Sequence, residues 1–214
     1  MNHLLSKIGS YPFEKLNLLH KDIKPSKEVI NLSIGEPKLN ADSKVLDILN
    51  KEANSFSNYP PMNAVPELSE AYRQYLKNHF GIKNVAEDEV CLVAGTREGT
   101  FSIIQALFNK ENVKEKPYVV MPNPFYQIYG GATTLAGGEA KFLDCPEEDN
   151  FQPDLGSLKS EDWQKCQILV LCSPNNPTGS VLPISKLKDI LDLADKYDFY
   201  VVSDECYVDL YTSE

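Results

Sequence analysis

Asp204 is the residue in this 214-residue chain with the most demanding chemistry. It follows the apolar run Phe199-Tyr200-Val201-Val202 and Ser203, so its carboxylate emerges from what reads as the interior of a sheet. A carboxylate in that setting needs a partner that can hold positive charge, because an isolated buried ion is costly. A protonated heterocyclic nitrogen is one such partner. A metal shared with Glu205, or a capping role for the segment that follows, are the others. Tyr207, three residues on, can donate its hydroxyl to the same ligand.

Three further clusters have distinct chemical characters. Gly95-Thr96-Arg97 lies where an apolar run turns into a helical pattern. Glycine lets backbone approach a ligand, and a helix N-terminus offers unpaired N–H groups and a favourable dipole to an anion. Thr96 adds a hydroxyl and is expected as the N-cap. Arg97 is one of only two arginines, the other being Arg73. The cluster reads as a phosphate cradle or as a simple capped strand–helix turn. Asn176-Pro177-Thr178-Gly179, after Pro174 and Asn175, supplies an amide side chain in a loop longer than a turn needs. Tyr126, in Asn123-Pro124-Phe125-Tyr126, can lie flat over a planar ligand or pack in the core. No GxxxxGK[ST] is present, nor a GxGxxG after the first parallel strand. A planar, cationic, phosphate-bearing cofactor held without those loops fits pyridoxal 5′-phosphate best.

The elements that must position these residues follow from hydrophobic patterning. Ile168–Cys172 and 199–203 are continuous rather than alternating apolar runs, as in strands buried on both faces of a parallel sheet. Ile184, Leu187, Ile190, Leu191 and Ala194 join them at helical spacing. Further strands are expected over 29–34, 90–95, 118–122 and 139–144. Helices are expected from Phe13 to Ile23, after Asp42 or Ser43, from Pro66 to Gly81, over 99–108, after Tyr126, and as a short piece within 145–163. This βαβα order implies an α/β fold, a mostly parallel sheet with flanking helices. Ligands bind such sheets at the C-terminal ends of the strands, where the clusters fall.

Composition narrows the function further. At 42% hydrophobic and 24% charged residues, wholesale disorder is excluded. Net charge is −10 with dispersed basic residues, which argues against a nucleic-acid partner. No apolar run approaches bilayer length and no signal-peptide h-region opens the chain, so no membrane partner and a cytoplasmic location are expected. Five cysteines without CxxC spacing, and three scattered histidines, read as buried or incidental side chains in a reducing compartment, with no metal site.

At this point the sequence resembles the class I/II aminotransferases, the fold-type-I pyridoxal-phosphate enzymes, over essentially its whole length. The resemblance rests on SPNNPTG (173–179) and SDECY (203–207) together, with AGTREG (94–99), NPFY (123–126), NYPP and ELSEAY (within 58–72) and SIGEP (33–37) in the family's order. Within the family, YPFEKLNLL and GTREGTF look most like bacterial N-succinyldiaminopimelate aminotransferases. The resemblance implies that Asp204 pairs with the protonated pyridine nitrogen. Asn176 and Tyr207 would hold the ring's phenolic oxygen, Tyr126 would stack on the ring, and Gly95, Thr96 and Arg97 would hold the phosphate. Tyr59 would reach the phosphate of the neighbouring subunit in a homodimer, and Gly35 would lie near the substrate carboxylate. Ala64 departs from the glycine often found there.

The resemblance also implies what to look for and not find. The family's Schiff-base lysine lies at the end of the strand after the Asp204 strand, and no lysine here sits at the end of a buried strand. No catalytic residue is therefore assigned. The expectation is an incomplete large domain plus the N-terminal part of the small domain: residues 1–57 as arm and small domain, and 58–214 as cofactor-binding domain. The chain is expected to be a fragment, inactive alone, of an enzyme that moves an amino group between glutamate and a keto acid. Another fold-type-I reaction (C–S lyase or decarboxylase) or a non-catalytic cofactor-binding remnant remain open alternatives.

Overall fold

The computed structural model describes residues 2–35, 39–59, 66–111 and 116–210. They group into two compact units, Tyr11–Leu92 in one and Met1–Ser10 with Val93–Glu214 in the other. Residues 58–92 thus group with 11–57, and 1–10 with the sheet, whereas the sequence reading joins 58–92 to the sheet. The division into small and cofactor-binding domains stays a proposal.

The Tyr11–Leu92 unit holds α1 (Pro12–His20), α2 (Ser43–Lys51) and α3 (Pro66–Phe80). Local chemistry sets their starts. Pro12 occupies the first turn of α1, where its missing N–H costs nothing, and the Asp42 carboxylate accepts from the Lys44 N–H to cap α2. Their apolar faces stay open: Leu16, Leu19, Val45, Leu46, Leu49 and Leu68 are all exposed. The strand expected over 29–34 does not form, and these residues are exposed without regular structure.

The other unit carries α4 (Thr96–Leu107), β1 (Tyr118–Asn123), α5 (Gln127–Ala136), β2 (Glu139–Asp144), α6 (Ser160–Trp163), β3 (Cys166–Cys172), α7 (Ile184–Tyr197) and β4 (Tyr200–Asp204). The four strands are parallel, in the order β2-β1-β3-β4. Alternate residues feed opposite faces. Val119, Met121, Ile168 and Val170 pack with Ile104, Phe108 and Ala132 of the α4–α5 layer. Val120, Leu169 and Leu171 pack with Trp163, Ile190 and Phe199 on the other side. Helices on both faces explain why β3 is apolar at nearly every position.

Two expectations need correction here. Residues 90–95 do not form a strand; Val90 to Gly95 run without ladder pairing, and Val93 is 52% exposed. Apolar sequence is not enough, because a strand exists only where a neighbour pairs its backbone groups, and none does so among the described residues. β4 is expected to be buried on both faces, yet among the described residues it pairs with β3 alone, and Tyr200 and Ser203 are exposed. Glycine is required at Gly137, which ends α5 at φ +86, and at Gly138, where a Cβ would lie 2.5 Å from the Phe108 ring.

Candidate functional site

The C-terminal ends of β1, β3 and β4 and the N-terminus of α4 surround a cavity of about 100 Å³. It is lined by Thr96, Arg97, Tyr126, Asn176, Asp204 and Tyr207, together with Tyr129, Cys172 and Cys206. Six residues singled out from the sequence therefore meet at one place, although they span more than half the chain.

Asp204 ends β4 in register with Cys172 of β3 and is 9% exposed. Two donors hold it. The Tyr129 hydroxyl donates to Oδ2 at 2.7 Å, and the Cys206 backbone N–H donates to Oδ1 at 3.3 Å. The second bond closes a local turn rather than capping a helix, since residues 206–209 are turn; it engages one oxygen and leaves the carboxylate on the cavity wall. Glu205 does not join it: its Oε1 accepts from Ser203 Oγ at 2.9 Å, and Glu205 is exposed. The acidic pair does not converge, and among the described residues no group of three or more His, Cys, Asp or Glu side chains is placed to hold a metal ion.

The loop after β3 is built to present Asn176. The Asn175 N–H donates to the Ser180 carbonyl at 2.8 Å, the Gly179 N–H donates back to the Asn175 carbonyl at 2.8 Å, and Asn175 Nδ2 donates to Thr178 Oγ1 at 2.9 Å. Gly179 makes the turn possible with φ +72. The Ser173 N–H donates to the Asp204 carbonyl at 3.2 Å, tying this loop to the end of β4. Asn176 Nδ2 then donates to the Tyr207 hydroxyl at 3.4 Å, so the amide and the phenol sit side by side. Burial, with the Cys206 and Cys172 thiols next in weight, pushes the Tyr207 phenol up, which keeps it a proton donor at neutral pH.

At the far end, Gly95 and not Thr96 is the N-cap of α4, a correction to the sequence reading. Gly95 has φ +114 and ψ 157, a backbone state reserved for glycine, and no side chain caps the helix. The first N–H groups of α4 and the Thr96 hydroxyl are thus not consumed by a side-chain cap. Arg97 reaches sideways: its Nε donates to the Tyr126 hydroxyl at 3.0 Å. Tyr126, the N-cap residue of α5, also meets the Tyr129 ring edge to face, with centroids 5.8 Å apart.

The lining combines an anionic acceptor, a helix N-terminus with a hydroxyl and a guanidinium, an aromatic ring, and a pair of neutral hydrogen-bonding groups. These residues fit a planar ring with a protonated nitrogen, a phenolic oxygen and a phosphate: Asp204 would take the nitrogen, Asn176 and Tyr207 the oxygen, and Thr96 with the α4 N-terminus the phosphate. Gly35 and Tyr59 belong to the other unit and are not among the cavity residues; Tyr59 is 99% exposed. Ala64 lies outside the described residues.

Sequence reasoning missed Tyr129, Cys172 and Cys206. Tyr129 follows Tyr126 by three positions, the spacing of neighbours on one helix face. The sequence reading gives Cys172 and Cys206 only the role of small buried hydrophobes; Cys206 is exposed as a residue yet lines the cavity. Burial and the neighbouring Asp204 carboxylate push the Cys206 thiol up to about 12, and burial raises the Cys172 thiol too, so both present S–H rather than thiolate to the cavity at neutral pH. Among the described residues, no helix is long and apolar enough to cross a membrane.

Residues 27–214 match the family profile described as aminotransferase class I and II. An aspartate aminotransferase of Pyrococcus horikoshii is 29% identical over 194 residues, which are 90% of this chain and 48% of that protein. An LL-diaminopimelate aminotransferase of Moorella thermoacetica is 28% identical over 185 residues, 86% of this chain and 46% of that one. A crystal structure of an aminotransferase from Neisseria meningitidis superposes with a TM-score of 0.91 at 41% identity, over 100% of this chain and 54% of that one. The chain spans about half the length of the curated relatives it matches.

Proposed function

The chain belongs to the class I and II aminotransferases, whose members use pyridoxal 5′-phosphate, and on that premise we propose that its cavity is the ring- and phosphate-binding part of an aminotransferase site. The observation that carries the proposal is the convergence of Asp204, Asn176, Tyr207, Tyr126, Thr96 and Arg97 on one cavity at the C-terminal edge of a parallel sheet. Gly95 would let the phosphate approach the backbone. Gly35 near the substrate carboxylate, and Tyr59 reaching a second copy in a homodimer, are part of the same proposal.

When bound, the cofactor supplies a carbonyl that carries the amino group and a ring that draws electrons from the substrate's α-carbon. The chain's own residues do the rest. Asp204 would hold the ring nitrogen protonated, which matters most when negative charge builds on the ring. Asn176 and Tyr207 would fix the phenolic oxygen and with it the in-plane orientation. Tyr126, steadied by Arg97, would cover one face and exclude water from it.

For the protein that carries these residues, we propose glutamate as amino donor and a keto acid as acceptor, with N-succinyl-2-amino-6-ketopimelate as the specific acceptor. The likeness of YPFEKLNLL and GTREGTF to N-succinyldiaminopimelate aminotransferases supports that choice, as does similarity to proteins named for LL-diaminopimelate transamination. Transfer of label from [15N]glutamate to the acceptor tests it. With the cofactor loaded, the expected result is labelled amino product and, without acceptor, a single equivalent of 2-oxoglutarate per site. Release of ammonia or carbon dioxide with no labelled product would instead indicate an eliminating or decarboxylating enzyme.

A further inference from the structure

The Tyr129 hydroxyl and the Asp204 carboxylate make a 2.7 Å hydrogen bond between residues 75 positions apart, with both side chains buried. Tyr129 is 1% exposed and sits in the first turn of α5, a helix packed against α4. The other contacts of the Asp204 carboxylate both come from Cys206, whose backbone N–H donates to Oδ1 at 3.3 Å and whose thiol lies against the same carboxylate. Burial, and then the Asp204 carboxylate itself, push the Tyr129 phenol far above its ordinary range, so it remains a donor at any physiological pH.

We propose that Tyr129 is a positioning residue: its neutral hydroxyl fixes the Asp204 carboxylate facing the cavity while leaving its negative charge unspent for a ring nitrogen. The inference rests on the reading of the cavity as a pyridoxal-phosphate site. Neutrality is the point of using a phenol. A lysine or protonated histidine at the same place would form an ion pair with Asp204 and compete with the incoming cation, whereas a phenol satisfies one oxygen and contributes no charge. The same ring also meets Tyr126 edge to face, and Tyr126 accepts from Arg97. One turn of α5 therefore ties the nitrogen end of the cavity to its phosphate end.

Two probes separate positioning from packing: pyridoxamine 5′-phosphate, which needs no covalent bond, and its analogue with the ring nitrogen replaced by CH. The protein should bind the nitrogen-bearing probe more tightly. Tyr129→Phe, which keeps the ring and removes only the hydroxyl, should weaken that probe about ten-fold and leave the CH analogue unchanged. In an Asp204→Asn background the same change should have no further effect on the nitrogen-bearing probe. Equal weakening of both probes, or no change in either, overturns the positioning role while the cofactor reading stands. A protein that binds neither probe overturns the cofactor reading and this inference with it.

Discussion

Asp204 and its partners define the chemistry at the residue scale. A buried carboxylate held by the Tyr129 phenol and by Cys206, with Glu205 engaged by Ser203 instead, is arranged to receive a cation. If that cation is a ring nitrogen, its charge counts far more during electron withdrawal than in simple binding. In the full-length enzyme that carries these residues, Asp204→Ala should therefore lower turnover by ~100-fold or more, the size of effect seen when a preorganised electrostatic group is removed. Cofactor affinity should fall much less, and measuring kcat beside the cofactor Kd separates the two; unchanged turnover contradicts the role. Much of this was legible in the sequence, because Asp204, Asn176 and Tyr207 lie in short motifs beside continuous apolar runs. Tyr129 was not, since its role depends on which way one helix turn faces, and no local pattern distinguishes a tyrosine aimed at a carboxylate from one in the core.

At the scale of elements, the site depends on strand ends and one helix start. β1, β3 and β4 end level with one another because their parallel register pairs Val119 with Ile168 and Cys172 with Asp204. The helix start depends on Gly95, whose φ of +114 no other residue adopts without strain and where an added Cβ would meet Glu98 Oε2 at 3.3 Å. Gly95→Ala should cost about 1–3 kcal/mol in urea unfolding and weaken phosphate-bearing ligands more than their dephosphorylated forms. An alanine variant as stable as the parent, with unchanged phosphate preference, would mean that the turn is not under that constraint. Parallel strands and their crossover helices were legible from apolar run length and period. The runs at 29–34 and 90–95 show the limit of that reading: a strand is a property of a pair, and composition reports only one member.

On the scale of the whole molecule, the two units differ in kind. The sheet unit buries its apolar residues in two layers about β1 and β3, whereas the Tyr11–Leu92 unit leaves the apolar faces of α1 and α2 exposed. The cavity residues all fall in the first, whereas Gly35 and Tyr59, the latter assigned to a neighbouring subunit's phosphate, fall in the second. The roles of the latter pair come from family resemblance alone, because they concern a partner subunit or a substrate that local sequence does not encode. The central claim concerns the first unit: its cavity binds a phosphorylated, planar, cationic ring in one orientation. A crystal structure of the protein with pyridoxamine 5′-phosphate tests that claim most directly. The account predicts the ring nitrogen within hydrogen-bonding distance of Asp204, and the phosphate on Thr96 and the first N–H groups of the helix Thr96–Leu107. A ligand bound with its phosphate toward Asp204, or bound away from this cavity, would contradict it.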